Sequence, residues 1–147
     1  YPSMMTFDAA AREVCQSRRI RTNTPLQALV TLNDTVYITA ARGLADKMAK
    51  AGGSTENQMK QGYRLAVFKE ANPSMLKVLG DLYQKADAYY REKPEEAAAM
   101  MGKKPTKPRT VQAVSNQSDN LPELRHRACL TVAANAILNL DEFVMKE

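Results

Sequence analysis

A chain of 147 residues with 44% hydrophobic and 25% charged side chains has the size and balance of one globular domain, able to close a core without staples. One His and two Cys exclude a tetrahedral Cys/His zinc site by count, no Cys-x-x-Cys-His occurs to attach a c-type haem, and no run nears the ~18 apolar residues of a membrane span. The 21 Lys and Arg exceed the 16 Asp and Glu, but residues 1–50, 51–100 and 101–147 carry seven positive charges each against four, seven and five negative ones, so the excess is thinly spread. Without a basic cluster interleaved with stacking aromatics, nucleic acid is not expected as a partner.

The chain opens Tyr1-Pro2-Ser3, with no initiator Met and no apolar run of signal length after Met4-Met5, and reads as a fragment of a longer protein. Asp8 caps a short helix to about Ser17 that turns Val14 and Cys15 inward. Thr24-Pro25-Leu26-Gln27 is a capping box with Pro at the first helical position, opening a helix with Leu26, Leu29, Val30 and Leu32 on one side. Asn33-Asp34 stops it and caps the next helix, whose stripe is Val36, Ile38, Ala41, Leu44, Ala45 and Met48, closed by Gly52-Gly53. Ser54 or Thr55 then caps a helix with Met59, Tyr63, Ala66 and Val67 on its apolar side.

Asn72-Pro73 starts another helix, in which Met75, Leu76, Leu79, Leu82, Tyr83, Ala86 and Tyr90 recur at helical spacing. Pro94-Glu95-Glu96 opens a short Ala/Met helix ended by Gly102, its carboxylates favoured by the dipole of the first turn. Residues 103–120 lack periodicity and read as an exposed basic loop. Asn120 caps the last helix, with Leu124, Ala128, Val132, Ala136 and Leu140 down its buried face. Alternating apolar and polar runs are absent, so the expected fold is all-α: a single bundle-like helical domain over residues 1–147 with six or seven helices. Cys15 and Cys129 suit free buried thiols, and a disulfide between them stays open.

The segments Phe7-Asp8-Ala9-Ala10-Ala11-Arg12-Glu13-Val14-Cys15, Arg18 through Leu29, Leu32-Asn33-Asp34, Ala40-Ala41-Arg42 and Leu138-Asn139-Leu140-Asp141-Glu142-Phe143 are more particular than generic helix. Together they resemble the planctomycete-type domain of unknown function 1553, although Ala10 and Thr35 stand where that family usually places Pro. The resemblance implies the C-terminal part of a large bacterial protein, exported or periplasmic, often with a cytochrome-c-like domain upstream and sometimes a carbohydrate-binding module. It implies no established activity, substrate or catalytic residue. On this reading the chain carries no cofactor itself and any haem c belongs to an upstream domain; its partners are other domains of the same polypeptide or another protein.

Arg18, Arg19 and Arg21 precede the Thr24 helix, whose free N–H groups and dipole also attract anions, so they are candidate anion ligands. The alternative pairs the arginines, Arg12 included, with Asp8, Glu13, Asp141 and Glu142 in an ionic network tying the chain ends together, and the usual pairing of guanidinium with partly buried carboxylates favours it. Asp141 and Glu142 are adjacent helix positions about 100° apart and do not converge as an acid/base pair. His126 and the eight Met offer axial haem ligands in principle, but a lone His on a basic helix turn suits solvation and Met at stripe positions suits a core. With no nucleophile elbow and no metal or catalytic residue to assign, the reading leans away from an enzyme. The expected function is a helical interaction or assembly module; the alternative is part of an anion- or carbohydrate-processing enzyme whose catalytic residues lie mainly outside this chain.

Overall fold

The computed structural model describes residues 6–7, 24–102 and 121–144. The expected Asp8 helix, Arg12, Glu13, Cys15, Arg18, Arg19, Arg21, the basic loop over 103–120 and the Asn120 cap lie outside these residues. The described residues form seven helices and no strand: α1 (Pro25–Asn33), α2 (Thr35–Ala51), α3 (Thr55–Val67), α4 (Pro73–Glu92), α5 (Pro94–Met100), α6 (Leu121–Leu138) and α7 (Asp141–Val144). The fold is all-α, as the periodicity implies.

Local chemistry sets the helix starts. Gln27 N–H donates to Thr24 Oγ1 at 3.3 Å and Thr24 N–H to Gln27 Oε1 at 3.0 Å, which closes the expected capping box. Asp34 ends α1 and caps α2 through the Val36 N–H at 2.8 Å, so Thr35 serves at the first helical position without Pro. Ser54 caps α3 and Asn72 caps α4 in the same manner. Gly52 at φ 66° and Gly102 at φ 80° take the left-handed backbone that ends α2 and follows α5.

The core forms around α6. Every other described helix packs against it, and Ala128, Cys129, Leu130, Thr131, Ala133, Ala134, Asn135, Ile137 and Leu138 are all buried. The expected one-sided stripe does not describe this helix: Ala128 is buried, whereas Leu124, Val132, Ala136 and Leu140 are half-buried. A central helix has no solvent side to keep polar, so its burial runs around the axis and the helical period fades. The alanines let neighbouring backbones approach, and Ala41, Ala45 and Met48 of α2, Met59 and Tyr63 of α3 and Leu76 and Leu79 of α4 close over Leu130, Ala134 and Ile137. The helix also stops at Leu138 rather than Leu140, and the chain turns into the single turn of α7.

The apolar side of α1 faces outward, which reverses the usual arrangement. Leu26, Leu29 and Leu32 are 59%, 58% and 41% exposed, while Gln27 and Thr31 are buried. The body offers α1 a polar seam: Asn135 Nδ2 donates to the Leu32 carbonyl at 3.1 Å, the Thr31 hydroxyl bonds the side-chain amide of Asn139, and Gln27 Nε2 donates to the Thr6 carbonyl at 2.9 Å. An unpaired buried polar group costs roughly 1–3 kcal/mol, comparable to the roughly 1.5–3 kcal/mol gained by burying a leucine, so hydrophobicity alone does not choose the face.

Glycine positions test the packing. At Gly62 of α3 an added Cβ would lie 2.6 Å from Met48 Sδ and 2.7 Å from its Cγ, whereas Gly43 of α2 has nothing within 4 Å. In urea unfolding, Gly43→Ala is expected to stabilise by about 0.5–1 kcal/mol through helix propensity, and Gly62→Ala to destabilise by about 1–3 kcal/mol through overpacking. Equal midpoints for the two variants would contradict the close approach of α2 and α3.

Candidate functional site

The densest cluster of chemically capable side chains lies where α4 meets α6. Tyr83 and Asp87, one turn apart on α4, face Arg125, His126 and Cys129 of α6. The Tyr83 hydroxyl lies 2.6 Å from His126 Nδ1, with the rings edge to face at 5.8 Å. Asp87 is held by two arginines: Arg125 Nε reaches Oδ1 at 2.8 Å and Arg91 Nη2 reaches Oδ2 at 2.6 Å. This charge pairing fixes the α4 turn that carries Tyr83. Tyr83, Gln84, Asp87, Ala88, Arg91 and Glu92 border an open groove of about 420 Å³.

Burial sets the protonation states. It pushes the Tyr83 hydroxyl up to about 12 and the Cys129 thiol up to about 11, so both keep their protons at neutral pH. Burial also lowers His126 below its ordinary value, against the opposing pull of Asp87 and Glu123. With the imidazole proton on Nε2, Tyr83 donates and neutral His126 accepts at Nδ1. The expected solvated His126 is instead half-buried and hydrogen-bonded. Tyr83 lies on the apolar stripe expected of its helix, but nothing in the sequence aligns that stripe with His126, 43 residues further on.

Among the residues assigned from sequence, Arg18, Arg19, Arg21, Asp8, Arg12 and Glu13 lie outside the described residues. Asp141 and Glu142 occupy the first turn of α7, and Glu142 accepts a hydrogen bond from the Tyr63 hydroxyl. That bond, then burial, raises Tyr63 to about 12. Cys129 is a free, buried thiol. Arg42 gains a structural role: its Nε donates to the Met100 carbonyl at 2.6 Å and its Nη2 to the Ala99 carbonyl at 3.4 Å, placing a cation at the negative end of α5. Among the described residues no group of three or more His, Cys, Asp or Glu is placed to hold a metal ion, and no helix is long and apolar enough to cross a membrane.

The described residues thus define a small all-α fold organised on a central helix, with a half-buried phenol–imidazole pair. A protein-family model described as PSD1, Protein of unknown function (DUF1553), matches residues 1–83, more than half of the chain, and the chain belongs to that family. The match spans α1 to α3 and ends at Tyr83 in the middle of α4, so the Leu138–Phe143 segment lies outside it. No curated protein and no solved structure matches the chain.

The position of His126 gives a pH signature. Because its folded value lies below its unfolded value of about 6.5, the unfolded chain binds more protons in that window, and stability falls as pH drops from about 6.5 towards the folded value. His126→Asn is expected to flatten that part of the stability profile measured by urea unfolding. An NMR titration of the His126 ring at or above 6.5 in the folded protein would contradict the assignment.

Proposed function

We propose that this chain is a helical interaction module and that the outer face of α1 docks another domain of the same polypeptide. The inversion of α1 carries the reading. Leu26 and Leu29, in the family-matched segment, are more than half exposed, and Val36 at the start of α2 is 57% exposed. Their polar neighbours Gln27 and Thr31 are committed to the body, so α1 cannot roll to bury its leucines without breaking the seam. A patch of about four apolar side chains falls short of the roughly 1,200–2,000 Å² that a stable complex between free proteins buries. A tethered domain needs less, because the linker supplies an effective concentration near the millimolar range. In this proposal the whole polypeptide is a large exported bacterial protein with a cytochrome-type domain elsewhere along it, as the sequence resemblance implies.

The test compares the intact polypeptide with its Leu26→Glu/Leu29→Glu variant. Both side chains point outward, so urea unfolding of the helical domain should shift by no more than about 0.5 kcal/mol per site. The variant should show a larger radius of gyration by X-ray scattering and faster hydrogen exchange over residues 25–38. A wild type that self-associates through this patch, with a doubled mass lost in the variant, would overturn the intramolecular reading in favour of a second copy. Unchanged scattering and exchange would remove α1 as a docking face.

A further inference from the structure

We propose that Tyr83 and His126 form a proton-coupled one-electron redox site. A phenol that loses an electron becomes a strong acid, so its oxidation is costly unless a base already sits on the hydroxyl. His126 Nδ1 occupies that position at 2.6 Å, within the reach required of a general base. The step balances as follows: an outer-sphere one-electron oxidant of high potential takes one electron from Tyr83, and the O–H proton passes to His126 Nδ1. The products are a neutral phenoxyl radical, an imidazolium and the reduced oxidant. Return of an electron from a one-electron donor sends the proton back.

The surroundings act on the imidazolium in both directions: burial disfavours it, Asp87 from α4 and Glu123 from α6 favour it, and Arg125 and Arg91, the nearby positive charges, are neutralised on Asp87. Behind the pair lies a second, smaller core in which Tyr90, Cys129, Met100 and Met101 pack with alanines and Val132, without Leu or Ile. It adds a thiol to the phenol and thioether groups that both cores contain. In front, Tyr83 borders the open groove, where a soluble oxidant can approach within electron-transfer range.

The other hydrogen-bonded tyrosines make the assignment specific. Tyr63 donates to Glu142 and Tyr89 to Glu96 at 2.5 Å. Their acceptors are carboxylates, with an ordinary value of about 4.3 against about 6.5 for an imidazole, a gap that the burial of His126 narrows. Tyr89 is also the more accessible phenol, 44% exposed. Exposure and base strength therefore predict different radical sites.

The experiment oxidises the intact protein with flash-generated tris(bipyridine)ruthenium(III), traps the radical with a nitroso spin trap, and locates the adduct by peptide mass spectrometry. The main adduct is expected on Tyr83, and Tyr83→Phe should abolish it. His126→Asn keeps a hydrogen-bond acceptor near the Nδ1 position but removes the base, and should lower the Tyr83 yield at neutral pH at least about tenfold. Should His126→Asn fail to fold by circular dichroism, the wild-type yield against pH decides: it should fall as pH drops through the His126 titration measured by NMR. Adducts distributed by exposure with Tyr89 foremost, a wild-type yield in a folded His126→Asn, or a yield flat across the His126 titration would each overturn the proposal.

Discussion

A helix buried on most of its circumference needs neighbours on several sides before it is stable, and Leu121–Leu138 is such a helix from Ala128 onward, with only Val132 and Ala136 half-buried. Its mixture of Ala, Thr and Asn with Leu and Ile makes an unimpressive stripe. Yet Ala133 and Ala134 are fully buried beside Leu130 and Ile137, so the small side chains serve to admit neighbours. The helices that surround it come earlier in the chain. Ala41, Ala45 and Met48 therefore acquire their cover across some eighty to ninety residues of sequence, a long-range closure whose entropy is recovered only when the hub is seated.

Around this hub the domain divides into two chemically different flanks. On one, α1 is attached through amides and a hydroxyl: Asn135 satisfies the Leu32 carbonyl near the end of α1, Asn139 meets Thr31, and Gln27 is shared between Thr24 and Thr6. Asn135 lies in the last turn of α6 and Asn139 just beyond its end, so one end of the hub makes most of the seam. On the other flank, α4 and α5 enclose the Tyr, Cys and Met core, with Arg42 of α2 fastening the end of α5. The outward leucines and the phenol–imidazole pair thus occupy opposite kinds of environment, and each follows from what α6 presents on that side.

Much of the fold was legible because helix ends are written locally. The Thr24 capping box, the shared Asp34, Ser54, Asn72-Pro73 and the Gly52-Gly53 stop each depend on residues within four positions of one another. What failed was the choice of face. Leu26, Leu29 and Leu32 have the period of a core-facing helix, and only distant partners explain the inversion: Asn139 for Thr31, Asn135 for the Leu32 carbonyl and Thr6 for Gln27. The stripe Leu124, Ala128, Val132, Ala136, Leu140 failed for the opposite reason: on a helix enclosed on most sides the half-buried stripe is as apolar as the buried faces, so no face stands out. The site was hidden similarly, since Tyr83 looked like one more stripe residue and His126 like a solvated one until packing joined them.

Native-state hydrogen exchange tests the central role of α6 most directly, because it reports the free energy of the opening that frees each amide. The account predicts that amides from Leu130 to Ile137 exchange only through global unfolding, with a free energy equal to that from urea denaturation, while those of α1 exchange through a smaller opening that releases the polar seam. Amides of α6 exchanging at a lower free energy than those of α2 and α4 would mean that the outer helices hold together without the hub, and would contradict it.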